Sequence, residues 1–295
     1  NRDLAISKFD SFFNIALENK VELAITPEYS CPWENINTLL ETKKLPEPGN
    51  VWVIGCESIM PREFKQFVQK YDNDSVTMIY EVEAHESEEK KFLDPIIYIF
   101  KTKVMGGDTY RDVLVFQFKS HPMGAAFKYE ADNMLRGSKR YIIRNGISSI
   151  WLITIICSES LAFDEKQDEL NFSNQPYLIL HLQLNTNPRT TNFIKYRTTL
   201  YNEKKDPVKD LICLNWAKGS DLSGNVITSS NSSIFIKSNA VTDKIEETKI
   251  CSNDKLGLYY HYWKDARTGL FLFNYSESIF LFENFKASQR SEVAQ

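Results

Sequence analysis

Glycine and proline are scarce, at 11 and 10 of 295 residues, too few for a collagen-like or disordered chain. The five cysteines, Cys31, Cys56, Cys157, Cys213 and Cys251, are scattered without CxxC or Cys/His ligand spacing. That argues against a disulfide framework and against a zinc site, and reduced thiols in a cytoplasmic protein are the expectation. Neither charge sign dominates: 35 Lys+Arg against 39 Asp+Glu leave a net charge of −4, without the basic footprint of a nucleic-acid binder. The longest apolar run, Ile150 to Cys157, is interrupted by Thr154 and is far too short to span a bilayer. No secretory signal pattern opens the chain. The four histidines, His85, His121, His181 and His261, are too dispersed to suggest a metal centre.

Apolar residues make up 42% and aromatics 13%, enough to build a sizeable core. Leu4, Phe9, Phe12, Phe13, Ala16 and Leu17 recur at helical spacing and predict an opening amphipathic helix. A short strand over Val21 to Thr26 follows, closed by Pro27, then a helical stretch near Asn37 to Thr42 and a strand over Val51–Gly55. Pro61 suits the first turn of a further helix. Strands are then expected over Val76–Val82, Pro95–Phe100, Asp112–Phe118, Ser149–Ile156, Tyr177–Gln183, Leu211–Asn215 and Ser233–Lys237. The charged stretch Glu83–Lys91 reads as a solvated loop, and Asn187-Pro188 reads as the cap of a helix. This order predicts one mixed α/β domain over residues 1–295, with further strands in the aromatic C-terminal fifty-odd residues.

Three places carry chemistry on local grounds. Glu28, in Thr26-Pro27-Glu28-Tyr29, sits just past a buried strand, where open α/β sheets place ligand crevices. Lys119 ends the alternating strand V-L-V-F-Q-F-K, ahead of Ser120-His121-Pro122. Cys157 ends the most hydrophobic strand and precedes Ser158-Glu159-Ser160, small and polar residues that can turn into a helix. Backbone N–H groups at such a turn lower a thiol's pKa and can form an oxyanion hole. His181, alternating along Y-L-I-L-H-L-Q, offers an alternative Cys–His pairing if its strand neighbours that of Cys157.

Taken in this order, A-I-T-P-E-Y, F-K-S-H-P and I-C-S-E resemble the Glu-Lys-Cys motifs of the nitrilase superfamily of carbon–nitrogen hydrolases. Lys119 follows Glu28 by 91 residues and Cys157 follows Lys119 by 38, a spacing that also fits. The likeness extends over about residues 3 to 240 and includes Y-R-T-T-L-Y-N and L-I-C-L-N-W-A-K-G. It implies a nitrilase-like four-layer αββα sandwich whose first strand lies upstream of Asn1. Glu130, eleven residues past Lys119, matches the family's assisting glutamate, with Lys128 a rival for the lysine role.

The resemblance implies hydrolysis of a small amide or nitrile through a Cys157 thioester. Glu28 would act as general base, Lys119 and the Ser158 backbone N–H as oxyanion donors, and Glu130 as the group that orients substrate or lysine. No metal or organic cofactor is required. Homo-oligomers are implied as well. Leu161-Ala162-Phe163 stands where Arg-Phe-Pro often follows the cysteine, and the chain opens without Met. These features motivate a second reading, an assembly or sensing module within a larger protein such as a reverse transcriptase linked to antiviral (phage) defence.

Overall fold

The computed structural model describes residues 2–81, 91–103, 108–123, 128–144, 151–162, 177–185, 191–193, 195–196, 209–216, 221–222, 225–226, 231–237, 258–264, 270–274, 278–283 and 286–290. The chain divides into two compact units, residues 1–141 and 142–295.

The first unit runs α1 (Arg2–Glu18), β1 (Leu23–Ile25), α2 (Trp33–Thr42), β2 (Val51–Gly55), α3 (Pro61–Tyr71), β3 (Val76–Ile79), β4 (Pro95–Lys103), β5 (Tyr110–Phe118) and the short α4 (Lys128–Asn133). Its five strands form one mixed sheet in the order β1-β2-β4-β5-β3, with β1/β2 and β3/β5 parallel and β2/β4 and β4/β5 antiparallel. Pro61 fills the first position of α3, and the Glu63 carboxylate accepts the Met60 N–H at 3.2 Å, closing the helix start. Helix α2 ends at Lys43, which takes the left-handed conformation of a C-terminal cap.

Aromatic side chains join these helices to the sheet. Phe13 stacks on Trp52, and Phe64 meets Phe116 and Phe118 edge-on. The alternate strand residues Val53, Ile96, Tyr98 and Val115 are buried too, so these strands read as continuous apolar runs. Strand β3 stops at Ile79, short of its expected end, because Glu81 turns its carboxylate to the backbone N–H groups of Ser138 and Lys139.

The second unit contains β6 (Ile142–Ile143), β7 (Trp151–Ile156), a tight helical turn over Cys157–Leu161, β8 (Tyr177–Gln183), β9 (Lys209–Asn215), β10 (Asp221–Leu222), β11 (Asn225–Val226), β12 (Asn231–Lys237), β13 (Leu258–Lys264), β14 (Leu270–Asn274), β15 (Ser278–Glu283) and β16 (Lys286–Arg290). A six-stranded sheet has the order β13-β12-β9-β8-β7-β6, with β7, β8 and β9 mutually parallel. Strands β14, β15 and β16 form an antiparallel sheet of their own, giving structure to the aromatic C-terminal segment. The expected loop at Glu83–Lys91 falls, but for Lys91, outside the described residues, as do Asn187 and Pro188; residues 191–193 and 195–196 are helical. Among the described residues, Cys31, Cys56, Cys157 and Cys213 form no disulfide, and no helix is long and apolar enough to cross a membrane.

Candidate active site

Glu28 lies in the loop that leaves β1, and the end of β2 fixes that loop. The carbonyl of Gly55 accepts the N–H groups of Ser30 (3.1 Å) and Cys31 (2.8 Å), while the Gly55 N–H donates to Thr26 Oγ1 at 2.9 Å. A side chain on Gly55 would place its Cβ 2.1 Å from the Pro27 carbonyl oxygen, so only glycine admits the loop this close. Tyr29, next to Glu28, takes a left-handed φ of 57°.

Lys119 is the first residue past β5, and its N–H donates to the carbonyl of Asp94, the residue before β4. Its carbonyl accepts the N–H of Gly137, a second glycine pressed against the strand end, where an added Cβ would lie 2.1 Å from the Phe118 carbonyl oxygen. Glu130 comes from α4, which docks through Phe92: Tyr129 stacks on the Phe92 ring, and the Phe92 N–H donates to Asn133.

These three side chains meet. Lys119 Nζ donates to Glu28 Oε1 at 2.7 Å and to Glu130 Oε2 at 2.9 Å, and Asp94 Oδ2 stands 3.8 Å away. Lys119 is only 1% exposed and Glu28 likewise. Glu130 also accepts the Tyr29 hydroxyl (3.1 Å) and the Met123 N–H (2.7 Å). Lysine 119 rather than Lys128 therefore holds the place between the two glutamates. The carboxyl oxygens of Glu28, Asp94 and Glu130 lie within 4.8 Å of one another, close enough to hold a cation, and the cation they share is the Lys119 ammonium.

Burial pushes the Glu28 carboxyl above the ordinary carboxylate range; the Lys119 charge pulls it down and Glu130 pushes it up again. Asp94 is pushed well up, first by burial and then by the Glu28 charge. As a carboxylate, Asp94 would have two buried oxygens without a donor. As a neutral acid it supplies the donor itself, with Glu28 as acceptor. The Tyr29 hydroxyl is held protonated by burial and by the same three carboxyls, so it serves as a donor. Asp94 and Tyr29 escape sequence reasoning. The only signal for Asp94 is its place immediately before Pro95 at the start of an apolar strand.

In the second unit, Cys157 is the first residue after β7 and takes a φ of 39°, a left-handed conformation unusual for a residue with a Cβ. Cys157, Ser158, Glu159 and Ser160 are all buried. The Glu159 carboxylate reaches back to accept the Ile156 N–H at 2.8 Å, which closes the strand-to-turn junction. Ser158 is the second residue of that turn. The Asn215 side chain bridges strand ends nearby: its Oδ1 accepts the Asn185 N–H at 3.0 Å and its Nδ2 donates to the Asn185 carbonyl at 2.7 Å. Cys157 Sγ lies 4.0 Å from the carbonyl oxygen of Leu184.

No family model matches the chain. No curated protein matches it in sequence. Solved structures resemble it in shape. A glutamine-dependent NAD+ synthetase from Acinetobacter baumannii, in complex with ADP, is 13% identical, with a TM-score of 0.48 over 89% of this chain and 43% of that one. The chain thus spans less than half of that protein. XC1258 from Xanthomonas campestris, a CN-hydrolase superfamily protein with an arsenic adduct in its active site, is 11% identical, with a TM-score of 0.42 over 77% and 76% of the two chains. A mutant of the Nesterenkonia AN1 amidase, from the nitrilase superfamily, is 11% identical, with a TM-score of 0.46 over 79% and 77%.

Proposed function

We propose that this protein hydrolyses a non-peptide carbon–nitrogen bond, an amide more readily than a nitrile, with Cys157 as nucleophile. The observation that carries the reading is Lys119: an ammonium buried to 1% exposure and held by Glu28 and Glu130, with Asp94 beside it. Such a cluster is a poor way to stabilise a fold, because desolvating the charges offsets their attraction and apolar side chains of similar volume often do as well or better. It is a good way to build a base and an oxyanion site closed to water.

In this reading the Cys157 thiol gives its proton to Glu28 as sulfur attacks the substrate carbonyl carbon. Lys119 and the Ser158 N–H bind the oxyanion; one such donor typically lowers the barrier by about 2.7–4 kcal/mol. The C–N bond breaks as Glu28 passes the proton to the departing nitrogen, leaving a thioester on Cys157. Glu28 then takes a proton from water, which attacks the thioester and releases the acid and the thiol. The raised pKa of Glu28, set first by its burial, makes it a stronger base than an ordinary carboxylate and suits it to take and return that proton.

The reading is tested by acyl transfer to hydroxylamine across a panel of small aliphatic and aromatic primary amides. Hydroxamate should form with the wild type and fall at least a thousand-fold in Cys157→Ala, whose melting temperature should stay close to wild type. Equal rates in Cys157→Ala, or no turnover and no adduct on Cys157 with any member of the panel, would leave a binding or assembly module as the better account.

A further inference from the structure

Four non-glycine residues among those described have positive φ: Lys20, Tyr29, Lys43 and Cys157. Lys20 and Lys43 follow helix ends at the exposed surface, where a left-handed exit is common. Cys157 has no helix behind it: it stands buried at the end of a β-strand. A cysteine held there needs its surroundings to impose the conformation, because the Cβ of an L-residue crowds the following carbonyl.

The surroundings converge on one atom, the carbonyl oxygen of Cys157. His181 Nε2 lies 2.9 Å from it and Ser160 Oγ donates to it at 3.0 Å. His181 belongs to β8, which runs parallel to β7 with His181 opposite Ile155, so the ring reaches forward from the neighbouring strand. The ring is fully buried, stacked on Phe193 at 5.7 Å and met edge-on by Tyr196 at 5.5 Å.

A carbonyl oxygen only accepts, so Nε2 must carry the hydrogen. The Gln183 amide nitrogen stands 2.9 Å from Nδ1 and donates to it, and Cys213 Sγ lies 4.0 Å from the same nitrogen. Each partner thus specifies the same neutral tautomer. With Nε2–H on a main-chain oxygen and Nδ1 facing Gln183, the ring is placed to orient the backbone.

We propose that His181 is a positioning residue: from the neighbouring strand it clamps the Cys157 carbonyl through Nε2–H and so holds the cysteine in its left-handed conformation at the end of β7. That the clamped thiol is a nucleophile rests on the function proposed above; the clamp itself rests on the backbone and the ring.

The test is a double-mutant cycle on the full chain, read as melting temperature and needing no substrate. His181→Phe keeps a ring between Phe193 and Tyr196 but removes the donor. Cys157→Gly allows φ near 39° without strain. The loss of melting temperature caused by His181→Phe should be larger in the Cys157→Gly background, because a released Cys157 sheds its strain and so returns part of the loss, whereas glycine has none to shed; His181→Gln, which restores a donor nitrogen, should recover at least half of the loss in the wild-type background. Equal losses in both backgrounds would show that the ring merely fills space and would overturn the proposal; the packing and Gln183 contributions are common to both arms and cancel.

If His181→Phe does not fold, the wild-type protein supplies the answer through two-dimensional 1H–15N correlation of the imidazole nitrogens. A protonated Nε2 and a bare Nδ1 are expected; the opposite tautomer or a doubly protonated ring would overturn the clamp. If an amide substrate is found, His181→Phe should lower kcat at least tenfold with little change in KM, and His181→Gln should restore most of it. Absence of turnover with every amide would sink the enzymatic reading while leaving both the cycle and the tautomer readable.

Discussion

Three carboxyl groups and one ammonium enclosed together cannot all keep the charges they carry in water. The group that yields is Asp94, whose pKa is pushed well up by burial and then by Glu28. An unfolded aspartate releases its proton near pH 3.9. Between that value and the raised folded value, the folded chain holds a proton the unfolded chain has lost, so this group's contribution to stability falls as pH rises. Asp94→Asn, neutral at every pH, removes that loss. In melting curves from pH 5 to 8, the mutant should gain on the wild type with increasing pH; a constant difference would mean that Asp94 is ionised in the folded protein. Lys119→Met probes the opposite side of the cluster. It leaves Glu28 and Glu130 without their cation and should cost about 3–5 kcal/mol by denaturant titration, as breaking a buried pair does. Adding Glu28→Gln to Lys119→Met should recover part of that loss, because one uncompensated carboxylate is then removed.

At the scale of elements, the loops bearing Glu28 and Lys119 are each fixed by a glycine on another segment. Gly55→Ala drives a methyl group to 2.1 Å from the Pro27 carbonyl oxygen, so the loop carrying Glu28 must move. A cost of about 1–3 kcal/mol is expected from overpacking, together with a loss of hydrolysis of at least tenfold. Gly49→Ala is the control: its φ of 96° makes alanine strained, yet nothing lies within 4 Å of the added carbon. It should lower the melting temperature and leave kcat unchanged. Neither glycine contact is visible in the sequence, because each depends on a segment distant in the chain. Strands β2 and β8, by contrast, are legible to the residue, since apolar runs bounded by polar or turn-forming residues announce both ends. The end of β3 is not, because Glu81 leaves the strand to bind Ser138 and Lys139, partners more than fifty residues away. Glu28 and Lys119 stand out because each follows a strand, and Glu130 through its spacing of eleven residues from Lys119, which matches the family the sequence resembles. Asp94 and Tyr29 do not, since their roles come from the buried charge around them.

Across the whole molecule, the chemistry-bearing side chains are distributed over both units: Glu28, Asp94, Lys119 and Glu130 in residues 1–141, Cys157 and His181 in residues 142–295. The mixed α/β composition and the buried strand leading to Cys157 follow from hydrophobic runs alone, whereas the strand order and direction within each sheet do not. The proposed reaction asks the Cys157 sulfur, the Glu28 carboxyl and the Lys119 ammonium to act on one acyl group. Rapid-quench mass spectrometry of the full chain with a turned-over amide tests that demand most directly. An acyl mass is expected on the Cys157 peptide within the first turnover, formed at least a hundredfold more slowly in Glu28→Gln and in Lys119→Met variants that remain folded. An adduct forming at rates within twofold of wild type in both variants would contradict it.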